Sequence, residues 1–167
     1  MNAAYEKLIQ HLDSQNIGYW SRSEDRSICA DFRGDVGMYR VIARVDADDS
    51  LFQVFGYSPV RVPPGSRPAI AETVVRVNCG LKVGKFEMDY DEGELRFQAA
   101  QFLPDDNLED ATIQRLLGTT MAMLNTYLPA ILSVIYGNEL PVDAVRQAEP
   151  RRQAVDDNES DERGAAE

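Results

Sequence analysis

The side chains that could do chemistry are few in this chain, and their spacing excludes most of it. His11 is the only histidine, so no imidazole cluster can hold zinc or copper. Cys29 and Cys79 stand far apart in apolar patterns without CxxC spacing. They read as two buried, reduced thiols of a cytoplasmic protein. Cys29 falls mid-strand, with no helix N-terminus to lower its pKa, which argues against a nucleophilic pair with His11. His11 itself reads as a surface or edge residue of the first helix. Gly56-Tyr57-Ser58-Pro59-Val60 lacks the second glycine of a serine nucleophile elbow, and neither a phosphate loop nor GxGxxG occurs. Asp46-Ala47-Asp48-Asp49-Ser50 begins like a calcium loop, but the glycine needed at its sixth position is Leu51 and the closing glutamate is Tyr57. It is a turn. No catalytic residue, cofactor site or metal ligand is expected.

The densest group of carboxylates, in Gly84–Phe97 (GKFEMDYDEGELRF), is also structural. Phe86, Met88 and Tyr90 share one strand face, and Leu95, Phe97 and Ala99 share another. The two faces coincide only across an even-numbered loop around Glu92-Gly93. Pairing Tyr90 with Leu95 then sets Asp89 opposite Arg96 as a cross-strand ion pair. The carboxylates spread over a turn and a wet face instead of converging on a pocket.

The elements around these residues follow from periodicity. Tyr5, Leu8, Ile9 and Leu12 recur at helical spacing over residues 3–15, with Gly18 as the stop. Strand patterns follow at Tyr19–Ser21, Ser27–Phe32, Val36–Val45 and Leu51–Phe55. Pro59–Pro68 holds four prolines and reads as an irregular connection. Pro68 opens a second helix with the apolar stripe Ile70, Val74, Val77 and Leu81. After the hairpin, a long helical pattern runs from about Leu108 to Tyr136, with Pro129 expected to kink or divide it near Leu128. The order α-β-β-β-β-α-β-β-α, joined largely by short turns, predicts an α+β domain: an antiparallel sheet with helices mainly on one face.

At 167 residues and 44% hydrophobic content, the chain suits one domain with a real core. From Asp143 onward the composition turns polar, with eight acids and four arginines (net −4), which leaves −7 of the total −11 on the rest. Such a segment cannot offset the entropy of ordering. Residues 1–142 are therefore read as the domain and 143–167 as an acidic, disordered tail. The net charge argues against nucleic acid or an anionic membrane as partner. The N-terminus lacks a basic, then apolar, secretory pattern, and no later run is expected to span a bilayer.

One feature exceeds a plain core. If Tyr39, Val41 and Ala43 face inward with Phe52 and Val54, the opposite sheet face carries Met38, Ile42, Leu51 and Phe55, with Arg40 and Arg44 between them. A solvated face should be polar there. These four residues, with Val75 on the outer side of the second helix, are the candidate protein-binding positions.

The C-terminal half resembles the YbjN family of bacterial sensory transduction regulators. The matching residues are Val77-Asn78, Gly84–Asp89, Gly93–Phe97, Tyr127–Ile131 and Val134–Gly137, with Gly18-Tyr19-Trp20 and Val62-Pro63 fitting upstream. The resemblance covers about residues 3–140. It implies a type III secretion chaperone-like fold and a cytoplasmic, non-enzymatic protein. Such a protein forms a homodimer and meets an unidentified protein partner in regulation or stress response. A dedicated type III secretion chaperone is the alternative, and a small-molecule sensor or cryptic enzyme the second.

Overall fold

The computed structural model describes residues 3–149. The elements run α1 (Ala3–Ser14), β1 (Trp20–Arg22), β2 (Ser27–Gly34), β3 (Gly37–Val45), β4 (Leu51–Tyr57), α2 (Arg67–Gly80), β5 (Lys85–Met88), β6 (Leu95–Phe102) and α3 (Asp110–Tyr136). A further helix, α4, spans 141–149. The six strands form one antiparallel sheet in the order β1-β2-β3-β4-β6-β5. This is the expected α+β class and element order, with α4 added.

Alternation sets the core. Ile28, Ala30, Tyr39, Val41, Ala43, Phe52, Val54, Phe97 and Ala99 point to one side, where Leu8 and Leu12 of α1 and Leu124, Tyr127 and Ile131 of α3 cover them. At the centre, α3 lies so close to β4 that a Cβ on Gly56 would stand 2.5 Å from Thr120. Only glycine permits that approach. Phe86 packs edge-on to Phe97 and Tyr127, with ring centroids 5.1 and 5.8 Å apart. By length and apolar content α3 passes for a bilayer-spanning helix, contrary to the expectation that no run would. Its apolar side is occupied by the sheet instead.

Several local expectations are corrected. α1 is capped by Asn16, not stopped by Gly18: Asn16 takes φ 53°, and Ile17 N–H donates to Leu12 O while Asn16 N–H donates to Asp13 O, the bonding of a Schellman cap. Pro129 does not divide α3, which runs on as one helix of 27 residues. In the β5–β6 hairpin Met88 pairs with Leu95 and Glu87 with Arg96, two residues from the expected register. The loop has the even length that side-chain parity demands but is longer. Asp89 leaves the strand to accept hydrogen bonds from the Asp91 and Glu92 amides, and Gly93 closes the turn at φ 71°. The shift of two keeps the faces of Phe86, Met88, Leu95 and Phe97, but Tyr90 falls in the loop, 53% exposed, and Glu87 replaces Asp89 as the partner of Arg96. His11 is buried, not at the surface, with Nδ1 2.7 Å from Asp110 Oδ1, and Cys79 is exposed while Cys29 is half-buried.

The boundary at 142 is also corrected. Ala144, Val145 and Ala148 are buried where α4 meets α3 near Thr126, Ala130 and Ser133. Their i, i+1, i+4 spacing is a short apolar stripe. Because it is mostly alanine, it carries little hydrophobicity and escapes a search for large aliphatics. The rest of the expected tail, 150–167, lies outside the described residues.

Candidate functional site

The second face of the sheet carries no helix among the described residues. Register places its side chains in rows across the strands. Trp20, Cys29, Ile42 and Phe55 form one row over β1 to β4. Arg22, Ser27, Arg44 and Gln53 form the row on one side of it, and Asp31, Arg40, Tyr57 and Arg96 the row on the other. An apolar band therefore lies between two rows bearing arginines.

Of the candidate positions, Met38 and Ile42 belong to one groove of about 660 Å³, whose walls include Cys29, Arg40, Tyr57 and Pro59. Met38 is 51% exposed there. Phe55 is a correction: only 8% of it is exposed. The Arg96 guanidinium lies 4.9 Å from its ring centroid and that of Arg44 5.8 Å away, so two cations roof the ring that alternation assigned to solvent. Leu51 is half-buried at the far end of the face, paired with Phe102, which is 78% exposed. Val75 is 70% exposed but belongs to a separate groove of about 750 Å³ between α2 and α4, with Ala71, Cys79, Val142 and Val145. The five candidates therefore occupy two surfaces. Trp20, Cys29 and Phe102 were missed: Trp20 and Phe102 sit at strand ends, and Cys29 reads in the sequence as a buried thiol although its strand is legible there.

Hydrogen bonds hold the arginine rows in place. Arg40 Nε donates to Asp31 at 3.2 Å, and that bond raises its pKa. Arg44 Nη2 donates to the neutral Gln53 amide oxygen at 2.6 Å. Arg96 Nε donates to Glu87 at 2.9 Å and Nη1 to Tyr57 Oη at 3.4 Å. Burial works against the Arg96 charge, yet the bonds to Tyr57 and Glu87 outweigh it and raise its pKa. Burial likewise works against ionised Glu87, but hydrogen bonds from Lys85 and Arg96 hold its carboxyl below the usual range. Of the residues lining the sheet-face groove, Ser27 donates its hydroxyl to Asp25 Oδ1 at 2.6 Å, and neither groove is lined by a histidine.

One edge of the sheet is closed by a side chain. Asn78 of α2 donates from Nδ2 to Phe86 O at 2.9 Å and accepts from Phe86 N–H at 2.8 Å on Oδ1. It thus satisfies the outer side of β5 as a neighbouring strand would.

The sequence profile of the family described as "Putative bacterial sensory transduction regulator", YbjN, matches residues 5–133. The chain belongs to the YbjN family. Its fold is similar to a solved structure described as "Crystal structure of YbjN, a putative transcription regulator from E. coli", with a TM-score of 0.52 and 11% sequence identity. That likeness covers 80% of this chain and 90% of the other. No curated protein matches the chain. Asn78, Gly93 and Tyr127, among the residues that carried the resemblance, serve an edge cap, a turn and the core. They are family marks with architectural roles.

Proposed function

We propose that this YbjN-family regulator works without catalysis, as a cytoplasmic homodimer that regulates by contact with another protein. The observation carrying this reading is the apolar band and groove around Ile42 and Met38 on a sheet face without a helix. Covering such side chains contributes about 25 cal/mol per Å², before association entropy offsets part of it. A second copy suits the α2–α4 groove. Its apolar floor at Val75 and Val145 is rimmed by the Glu72–Arg76 ion pair, Arg146 and Glu149, so both signs of charge are available to a two-fold contact.

The test is affinity capture from bacterial cells with mass spectrometry, alongside light scattering of the purified protein. Met38→Asp is expected to lose the captured partner while keeping wild-type mass in solution. Val75→Asp is expected to halve that mass. A wild-type monomer would overturn the dimer, and capture unchanged by both Met38→Asp and Ile42→Asp would overturn the contact surface.

A further inference from the structure

The open face has the opposite sign to the chain. Its strand residues include Arg22, Arg33, Arg40, Arg44, Arg96 and Lys85 against only Asp31 and Glu87, a net +4 on a chain of net −11. Among the described residues Arg22 and Arg33 have no carboxylate partner, and Arg44 bonds only a neutral amide. These are cations that folding leaves uncompensated, concentrated on the one sheet face that no helix covers.

The geometry points to an amphipathic helix of a partner protein, its apolar stripe flanked on both shoulders by carboxylates, as the occupant of this face. The dimensions fit. Short of the roofed Phe55, the Trp20–Cys29–Ile42 part of the band crosses three strands about 4.8 Å apart, about 10 Å, the length of about six or seven helical residues at about 1.5 Å each. Each arginine row lies two residues along the strands from the band, so the rows stand about 13 Å apart, close to the width of a helix, about 10–12 Å with side chains. Ile42 and Trp20 would meet the stripe, while Arg22 and Arg44 on one side and Arg40 on the other would meet the shoulders. Arg40 already bonds Asp31 and would share its remaining donors. A nucleic acid also brings anions, but it presents phosphates without an apolar stripe, and the rest of this chain repels it. This assignment rests on the protein-contact reading and adds the chemistry of the partner.

The experiment uses the full chain and a fluorescein-labelled twelve-residue helical peptide, with leucines along one stripe and glutamates on both shoulders. Anisotropy is expected to show binding that weakens as salt rises from low to high concentration. Arg44→Glu and Arg22→Glu should each weaken it about fivefold or more, while Arg115→Glu, the same charge change at an exposed position of α3, leaves it unchanged. Arg22, which makes no bond that holds the fold, keeps the test valid should Arg44→Glu uncover Phe55 and unfold. Equal binding of a peptide with lysine shoulders, or of one with serines in place of leucines, overturns the proposal. So does tighter binding of a duplex oligonucleotide, tighter binding of a peptide of residues 150–167 (which would make the chain's own acidic end the occupant), or self-association that Arg44→Glu abolishes. If the peptide does not bind while Met38→Asp still loses its captured partner, the helix assignment falls and the contact reading stands. If both fail, both fall.

Discussion

The two faces of the sheet are made by alternate residues of the same strands, yet they solve burial in different ways. On the covered face Tyr39, Phe52, Phe97 and Val54 meet the side chains of α1 and α3 and are fully enclosed. On the open face Phe55 is nearly as buried, but its cover is two guanidinium groups held by Glu87, Gln53 and Tyr57. The first arrangement is close packing, which tolerates little change in volume. The second is a hinged roof of charge, which water and partners can reach. Burial alone does not tell core from interface; what does the burying tells them apart.

The sharpest test of this contrast is truncation on each side. Tyr127→Ala, which empties a site beside Phe86, is expected to cost about 3–5 kcal/mol in urea unfolding. Ile42→Ala, on the open face, is expected to cost about 1 kcal/mol or less, because its side chain is only partly buried and no helix among the described residues packs on it. Equal costs would mean that the two faces are one core.

Next in size, Gly93→Ala combines a left-handed backbone with a Cβ position 2.2 Å from the Val62 carbonyl oxygen. About 2–3 kcal/mol of destabilisation is expected, read as a fall in the urea midpoint. The β4–α2 connection leans on this turn through Val62 N–H to Gly93 O at 2.7 Å, so exchange of the Val62 amide should speed up with it. An unchanged midpoint would place the turn outside the cooperative unit.

Shortening the chain sharpens the comparison from the helix side. Ending it at 149 should leave thermal unfolding unchanged. Ending it at 142 removes the buried Ala144, Val145 and Ala148 and should cost about 2 kcal/mol, several degrees in Tm. If the 142 form melts like the full chain, α4 contributes no net stability.

The smallest effect is in acid. Glu87 and Asp110 both have carboxyls held below their ordinary values, Asp110 by hydrogen bonds from Lys7 and His11. A depressed folded pKa means that their stabilisation is fully present above about pH 4–5. It is lost as pH falls through the lower folded value. Glu87→Gln should therefore lower the midpoint near neutral pH slightly and reduce the acid-induced loss. A variant with the wild-type slope between pH 5 and 3 would show that the Glu87 bridge contributes nothing to folding.

Alternation of apolar residues was enough to place β2, β3, β4 and β6 and to separate the sheet's faces, because a strand's period of two is a local property of the backbone. The same parity survived the two-residue register shift of the hairpin. Helical spacing likewise placed α1, α2 and α3. The candidate site was half legible. Met38 and Ile42 stand together in a groove, whereas Phe55 is roofed and Val75 belongs to another surface. Arg96 covers Phe55 from a strand about forty positions away, so no local pattern announces it. α4 was invisible for a related reason: a stripe of alanines and one valine is too weakly apolar to hold a helix alone. It folds because α3 presents a surface close enough for small side chains to fit. Composition and period thus determine which residues seek burial; which neighbour buries them, and whether it is a side chain of the core or an arginine open to exchange, is decided only when distant strands and helices meet.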